Sequence, residues 1–246
     1  MNMFCPSCQT ENPSIAAFCS NCGYNLKQFT ELTDLELLRE TLAAKDYRVE
    51  RKLDGGSQSE PYLGENIVTG ERIVIRLLKK EHSEDVKELF VTGVNLNLKF
   101  DHPNILKVYE TGSIQDRFYF ISEYADNGPL SWLLKTYGNT GMPIEEAIRY
   151  TIKVLKGLHE IHEQNVIHRN IKPDAIFIMK DGEPVIGEFG LAMLVEEGHI
   201  KSESLVGTLE YMSPERCKLA KSVDRRSDIY SVGIMLYQLL TGELPF

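Results

Sequence analysis

Of the 5 cysteines in this 246-residue chain, four stand near its start, as Cys5-Pro6-Ser7-Cys8 and Cys19-Ser20-Asn21-Cys22. Each Cys-x-x-Cys turn aims two thiolates at one point, and two such turns close a tetrahedral sulfur site of the kind that holds zinc. A disulfide framework suits an oxidising compartment, and a thioredoxin-like redox site needs one Cys-x-x-Cys beside a strand and a helix. With sulfur in every position the expected zinc is structural and leaves no place for a substrate. A second concentration of polar groups lies far down the chain. There His168-Arg169-Asn170 and Lys172-Pro173-Asp174-Ala175 stand between apolar flanks, with Gly187-Glu188-Phe189-Gly190 following.

Both stretches resemble known families. The cysteine pattern, with Asn12-Pro13, Ala17-Phe18 and Cys22-Gly23-Tyr24-Asn25-Leu26 around it, is similar to the short zinc ribbons of many prokaryotic proteins. His168-Arg169-Asn170 with Lys172-Pro173 overlays the His-Arg-Asp-Leu-Lys-Pro-x-Asn catalytic loop of Hanks-type Ser/Thr protein kinases, and Glu188-Phe189-Gly190 overlays their Asp-Phe-Gly. In that family the loop Asp takes the substrate hydroxyl's proton, while the loop Asn and the Asp of Asp-Phe-Gly hold magnesium. The resemblance puts Asn170, Ala175 and Glu188 at those positions. Asn170 can hydrogen-bond a hydroxyl but cannot accept its proton, a loss on the order of 10²- to 10⁴-fold. Ala175 offers magnesium nothing, and Glu188 carries its carboxylate one methylene further out than Asp, towards an ion with strict octahedral demands.

The upstream positions depart too. Tyr47 to Leu53 alternates as a first strand, and Asp54-Gly55-Gly56-Ser57-Gln58-Ser59-Glu60-Pro61 fills the glycine-rich loop. Asp54 and Ser59 replace its outer glycines, Gly55 and Gly56 remain, and the carboxylates of Asp54 and Glu60 are expected to bring negative charge towards a triphosphate. Arg76 stands for the lysine of Val-Ala-Ile-Lys, a planar guanidinium in place of a point charge. Counting back from Asp101-His102-Pro103-Asn104, the position of its helical glutamate partner is Gly93. A surrogate lysine could come from Lys52, Lys79 or Lys80. Ser122 is the small gatekeeper, and backbone groups of Glu123 and Ala125 would face adenine if a nucleotide binds.

What the resemblance implies beyond these positions is an intact scaffold. His168 and Phe189 are expected to stack between the lobes, Gly207-Thr208-Leu209-Glu210-Tyr211-Met212-Ser213-Pro214-Glu215 matches the end of the activation segment, and Asp228 fits the aspartate that braces the catalytic loop. Ser202 and Ser204 lie in that segment as exposed serines or as phosphate acceptors near Arg169. Elsewhere His159, His162 and Cys217 are read as structural or solvated.

The elements that must position these groups follow from periodicity. Leu32, Leu35, Leu38 and Leu42 mark an amphipathic helix between Gln28 and Asp46, capped by Thr30 or Thr33, and Ile148, Ile152, Leu155, Leu158 and Ile161 mark one face of a helix from Ile144 to Gln164. The expected organisation is a zinc ribbon over 1–26, a linker helix over 27–46, and a two-lobed α+β protein-kinase-like domain over 47–246. Within that domain the N-lobe spans 47–122, the hinge 123–127 and a partial C-lobe 128–246. A C-lobe ending at Phe246 is expected to be a fragment's, leaving the helix around Ile229 to Leu240 partly bare. A formal charge of -9, and a first module free of Lys and Arg to Leu26, argue against nucleic acid and anionic membrane, leaving protein partners. With no signal peptide or spanning segment, the location expected is cytoplasmic. Taken with the altered positions, the expected function is that of a pseudokinase scaffold, structurally zinc-bound, with ATP and magnesium doubtful. The alternatives are an atypical active Ser/Thr kinase using ATP and a metal-independent nucleotide-sensing switch.

Overall fold

The computed structural model describes residues 2–5, 7–13, 16–24, 33–55, 58–194, 207–218 and 223–246. Gly56, Ser202, Ser204 and Leu32 lie outside the described residues.

In the first module, strands β1 (Asn2–Phe4) and β2 (Glu11–Pro13) pair antiparallel, with Phe4 opposite Glu11. Its two cysteine turns close in the same way. The Cys5 carbonyl accepts from the Gln9 amide and the Cys19 carbonyl from the Gly23 amide, each donor sitting at positive φ directly after a second cysteine.

The leucine pattern forms helix α1 (Asp34–Ala43), shorter than the periodicity predicts. Its start is set by a capping box: Thr33 Oγ1 accepts from the Glu36 amide at 3.3 Å, and Glu36 Oε2 accepts from the Thr33 amide at 2.8 Å. Leu38 and Leu42 are fully buried against Tyr62, Ile75 and Tyr119. Replacing Thr33 by Ala is expected to cost about 1 kcal/mol, read as a lower urea midpoint at unchanged slope.

The sheet behind α1 runs in the order β3-β4-β5-β7-β6, all antiparallel, from β3 (Tyr47–Lys52), β4 (Ser59–Asn66), β5 (Arg72–Leu78), β6 (Val108–Ile114) and β7 (Arg117–Glu123). Alternation divides its residues. Ile73, Ile75 and Leu77 face α1, while Leu78 and Phe120 meet Phe90 and Val94 of α2 (Glu84–Asn97) on the opposite side.

The second lobe is helical around α3 (Leu130–Tyr137), α4 (Ile144–Glu163) and α6 (Arg226–Thr241), with the short α5 (Pro214–Cys217) between the last two. Two small antiparallel pairs carry the polar loops: β8 (Val166–Ile167) with β11 (Met193–Leu194), and β9 (Ile176–Ile178) with β10 (Pro184–Ile186). The buried face of α4 differs from the expected one. Ala147, Tyr150, Val154, Leu158 and Ile161 are buried, whereas Ile148, Ile152 and Leu155 are exposed. Close approach decides this, since a Cβ on Gly157 would stand 2.7 Å from the Asn104 carbonyl and only this small-residue face fits. On α6, Ile229, Tyr237 and Leu240 are exposed as expected. Among the described residues no helix is long and apolar enough to cross a membrane.

Candidate functional site

Between the lobes lies a cavity of about 610 Å³. Leu53, Pro61, Val74, Leu106 and Phe177 line its apolar part, and Glu123 and Ala125 form its hinge edge. Ser122 is nearly fully buried at the back. The polar end gathers Gly55, Arg76, Asn170 and Glu188, so the fold unites most of the residues singled out in the sequence. Ala175 is fully buried, and its carbonyl accepts from the Gly187 amide at 2.8 Å.

Arg76 has a partner other than a helical glutamate. Its Nη1 lies 3.4 Å from Glu188 Oε1, and its guanidinium carbon is 5.5 Å from the centre of the Phe177 ring. Phe177, the middle residue of β9, was not singled out by motif, and it lines the cavity where Ala175 does not. Gly93 lies behind this pair. A Cβ built on it would overlap the Phe189 carbonyl oxygen and come within 3.3 Å of the Ala192 amide nitrogen. Helix α2 therefore approaches the Glu188-Phe189-Gly190 turn through a position that only glycine fills. Gly93→Ala is expected to destabilise the fold by about 2 kcal/mol despite alanine's better helix propensity, a sign that urea unfolding would check.

Two sequence expectations are corrected here. Glu60 does not bring charge to the cavity: Pro61 faces inward, so alternation turns Glu60 outward, where it pairs with Lys52 and accepts from Arg117 at 3.1 Å. Arg117 also reaches Asp34 at 2.6 Å, which ties α1 to the outer face of the sheet. Lys52, held in the same outward group, is no surrogate for the missing lysine, and neither Lys79 nor Lys80 lines the cavity. Asp54 does line it. The Glu123 carboxylate turns away to accept from the Lys107 amide at 2.7 Å. The charged side chains left around the cavity balance, with Arg51, Arg76 and Lys172 against Asp54, Asp174 and Glu188.

Among the described residues, the contacts that support the polar loop are in place. Buried Asp228 accepts from the His168 and Arg169 amides at 2.9 and 2.8 Å and from His162 Nε2 at 2.8 Å. Burial alone would raise its pKa, but these donors and the nearby imidazoles outweigh it and hold the carboxyl below its ordinary value. His168 donates from Nε2 to the Gly187 carbonyl at 2.8 Å, and burial keeps its imidazole below the ordinary value, hence neutral. Its ring meets Phe189 edge-on, centroids 4.8 Å apart, and Phe100 packs on Phe189 in turn. Lys172 Nζ donates to Thr208 Oγ1 at 2.7 Å. Arg216 donates to the Arg169 carbonyl at 2.6 Å; burial and that neighbouring guanidinium lower Arg169 to about 10. His159 is exposed.

The ribbon brings its four cysteine sulfurs within 4.8 Å of one another. Cys5 and Cys22 Sγ stand 3.5 Å apart, Cys8 and Cys19 Sγ 3.6 Å, close to the ~3.8 Å edge of a tetrahedron with zinc–sulfur bonds of about 2.3 Å. Asn12 Nδ2 and the Asn21 amide point at Cys19 Sγ, from 3.6 and 3.5 Å. These donors and this spacing fit zinc.

Residues 47–246 match the protein kinase domain model and residues 4–26 the zinc-ribbon domain model. The chain is 30% identical over 205 residues to serine/threonine-protein kinase PrkC of Bacillus subtilis, covering 81% of this chain and 31% of that one. It is 35% identical over 209 residues to serine/threonine-protein kinase pkn2 of Myxococcus xanthus, with 81% and 25% covered. It is 30% identical over 209 residues to an Aurora kinase of Candida glabrata, with 83% and 57% covered. The chain thus spans about a quarter to a third of the length of the two bacterial relatives.

Proposed function

From the premise that the chain belongs to the protein kinase family, its Ser/Thr branch, behind an N-terminal zinc ribbon, we propose that it is a cytoplasmic pseudokinase that works by binding protein partners. The observation that carries this reading is the Arg76–Glu188 pair with Gly93 closed against Phe189. In an active kinase the lysine equivalent to Arg76 serves the phosphates and the carboxylate equivalent to Glu188 serves magnesium. Here the two groups neutralise each other. No helical glutamate can draw Arg76 away without moving α2, and the remaining positions add an amide for the base and a methyl for the second metal ligand. What is left is a braced, two-lobed surface and a ribbon with a closed sulfur site. Both present shape rather than chemistry, and the missing Lys and Arg in the first module favour a protein over nucleic acid as the ribbon's partner.

The test is transfer of labelled phosphate from ATP, with magnesium and with manganese, to the chain itself and to general Ser/Thr substrates. No incorporation above that of a Glu188→Ala variant is expected. Incorporation that Glu188→Ala abolishes, mapped to Ser202 or Ser204, would make the chain an atypical active kinase instead.

A further inference from the structure

We infer that a second recess, beside the hinge and separate from the interlobe cavity, is a docking site for an arginine-bearing segment of a protein partner. This deepens the pseudokinase reading and rests on it, since it names a surface for the partner that reading calls for. The recess measures about 930 Å³ and shares only Glu123 with the interlobe cavity. Three stretches wall it: the loop before β6 with Pro103 and Lys107, the hinge with Glu123 and Asp126, and the β9–β10 turn with Met179 and Asp181. Its charges do not balance as those of the cavity do. The carboxylates of Asp101, Glu123, Asp126, Asp181 and Glu183 line it, against Lys107 and Lys180. Asp101 has Lys107 at 3.6 Å, Asp126 has Arg72 at 3.3 Å, and Glu183 has Arg149 at 3.4 Å together with Lys153. Among the described residues Glu123 and Asp181 have no cation, Lys180 included. Each accepts from a main-chain amide instead: Glu123 Oε1 from Lys107 at 2.7 Å and Asp181 Oδ1 from Glu183 at 3.0 Å. Burial raises the pKa of Glu123, and the negative charges of Asp181 and Glu71 push it the same way, against the Lys107 contacts that lower it. A cation placed between the two carboxylates relieves that repulsion. A guanidinium suits the task better than an ammonium, because its planar fork of donors can bond both carboxylates at once. Exposed Pro103 and half-buried Met179 in the same recess offer contact to an apolar side chain next to the arginine. The acidic lining repels phosphate-bearing partners, which leaves a basic peptide as the occupant that complements it.

The experiment is fluorescence anisotropy of the full chain, zinc-loaded, with the labelled peptide Gly-Leu-Arg-Arg-Leu-Gly and its counterparts carrying Lys-Lys or Glu-Glu in the centre. The arginine peptide is expected to saturate below about 1 mM, the lysine peptide to bind about threefold more weakly and the glutamate peptide not at all. Glu123→Gln with Asp181→Asn removes both charges while keeping an oxygen for each amide, and is expected to weaken the arginine peptide about tenfold at an unchanged thermal midpoint. On the parent chain, hydrogen exchange should slow on peptide binding in residues 101–107 and 179–183. No saturation at millimolar peptide, equal affinity for the lysine or glutamate peptide, or slowed exchange confined to other regions would each overturn the inference, and none of these depends on the variant folding. A dimer in sedimentation velocity that the double variant dissolves would give the recess to a second copy of the chain and overturn it too. Phosphate transfer is measured separately, so a chain that neither binds the peptide nor transfers phosphate would sink this inference and leave the pseudokinase reading standing.

Discussion

Asp228→Ala is expected to destabilise the second lobe by about 4 kcal/mol, a large part of a typical domain's stability. One buried carboxylate satisfies two main-chain amides of the polar loop and the His162 imidazole, and it lies on the first turn of α6. Truncation leaves those donors buried without an acceptor, and each carries its own desolvation cost. Urea unfolding measures the loss, with the exposed Glu40→Ala as control, expected within about 0.5 kcal/mol of the parent. The pH dependence follows from the direction of the shift. A carboxyl held below its ordinary value contributes fully above the unfolded-state value of 3.8 and loses that contribution as pH falls through the lower folded value. His168, buried neutral, acts earlier: below its ordinary 6.5 the unfolded chain takes up a proton that the folded imidazole resists, so stability already declines there. The Asp228→Ala penalty should therefore be undiminished at pH 6 and shrink only in strong acid. A penalty under about 1 kcal/mol at neutral pH would mean that the loop holds its shape without the brace.

That brace was legible in the sequence because a motif names its residue and fixes its order along the chain. The same holds for the four cysteines, whose spacing carries the chemistry, and for the lobes, whose motifs recur in family order. What the sequence left open were pairings that exist only once strands and helices are stacked. Arg76 loses a helical partner on paper, but that Glu188 fills the vacancy depends on β5 and the Phe189 turn meeting across the cleft. Glu60 was misplaced for an avoidable reason: its neighbour Pro61 lines the cavity, and the two-residue period of a strand then requires Glu60 to face away. Helix α4 misled because it has two apolar stripes. The isoleucines are the more hydrophobic, yet the small residues Ala147 and Gly157 let the backbone approach the core, and packing followed them. The start of α1 was ambiguous between two threonines until the reciprocal bonds of Thr33 and Glu36 fixed it.

Removing zinc is expected to unfold the ribbon completely while leaving the kinase-fold domain intact. Among the described residues of the module the buried ones are Cys5, Asn12 and Cys19, two metal ligands and an amide, so what is buried there is the sulfur site itself. A module this short depends on the ion, whose binding supplies on the order of 10 kcal/mol in apparent free energy at neutral pH. The donors aimed at Cys19 Sγ from Asn12 and Asn21 favour a thiolate there, which is the charge state zinc imposes, while Asn12 Nδ2 also donates to the Thr10 carbonyl at 2.7 Å. A strong chelator should therefore release close to one zinc per chain and erase hydrogen-exchange protection at the Cys5, Cys19 and Ser20 amides, each of which donates a hydrogen bond in the folded module. The same titration should leave protection in α4 and α6 unchanged, because neither supplies a ligand to the metal. Cys8→Ser should mimic the chelator at the same amides, and acid should do so too, since protons compete with zinc for sulfur. Protection persisting at those three amides after stoichiometric zinc release would show that the ribbon folds on hydrogen bonds alone, and the closed sulfur site would then need another explanation.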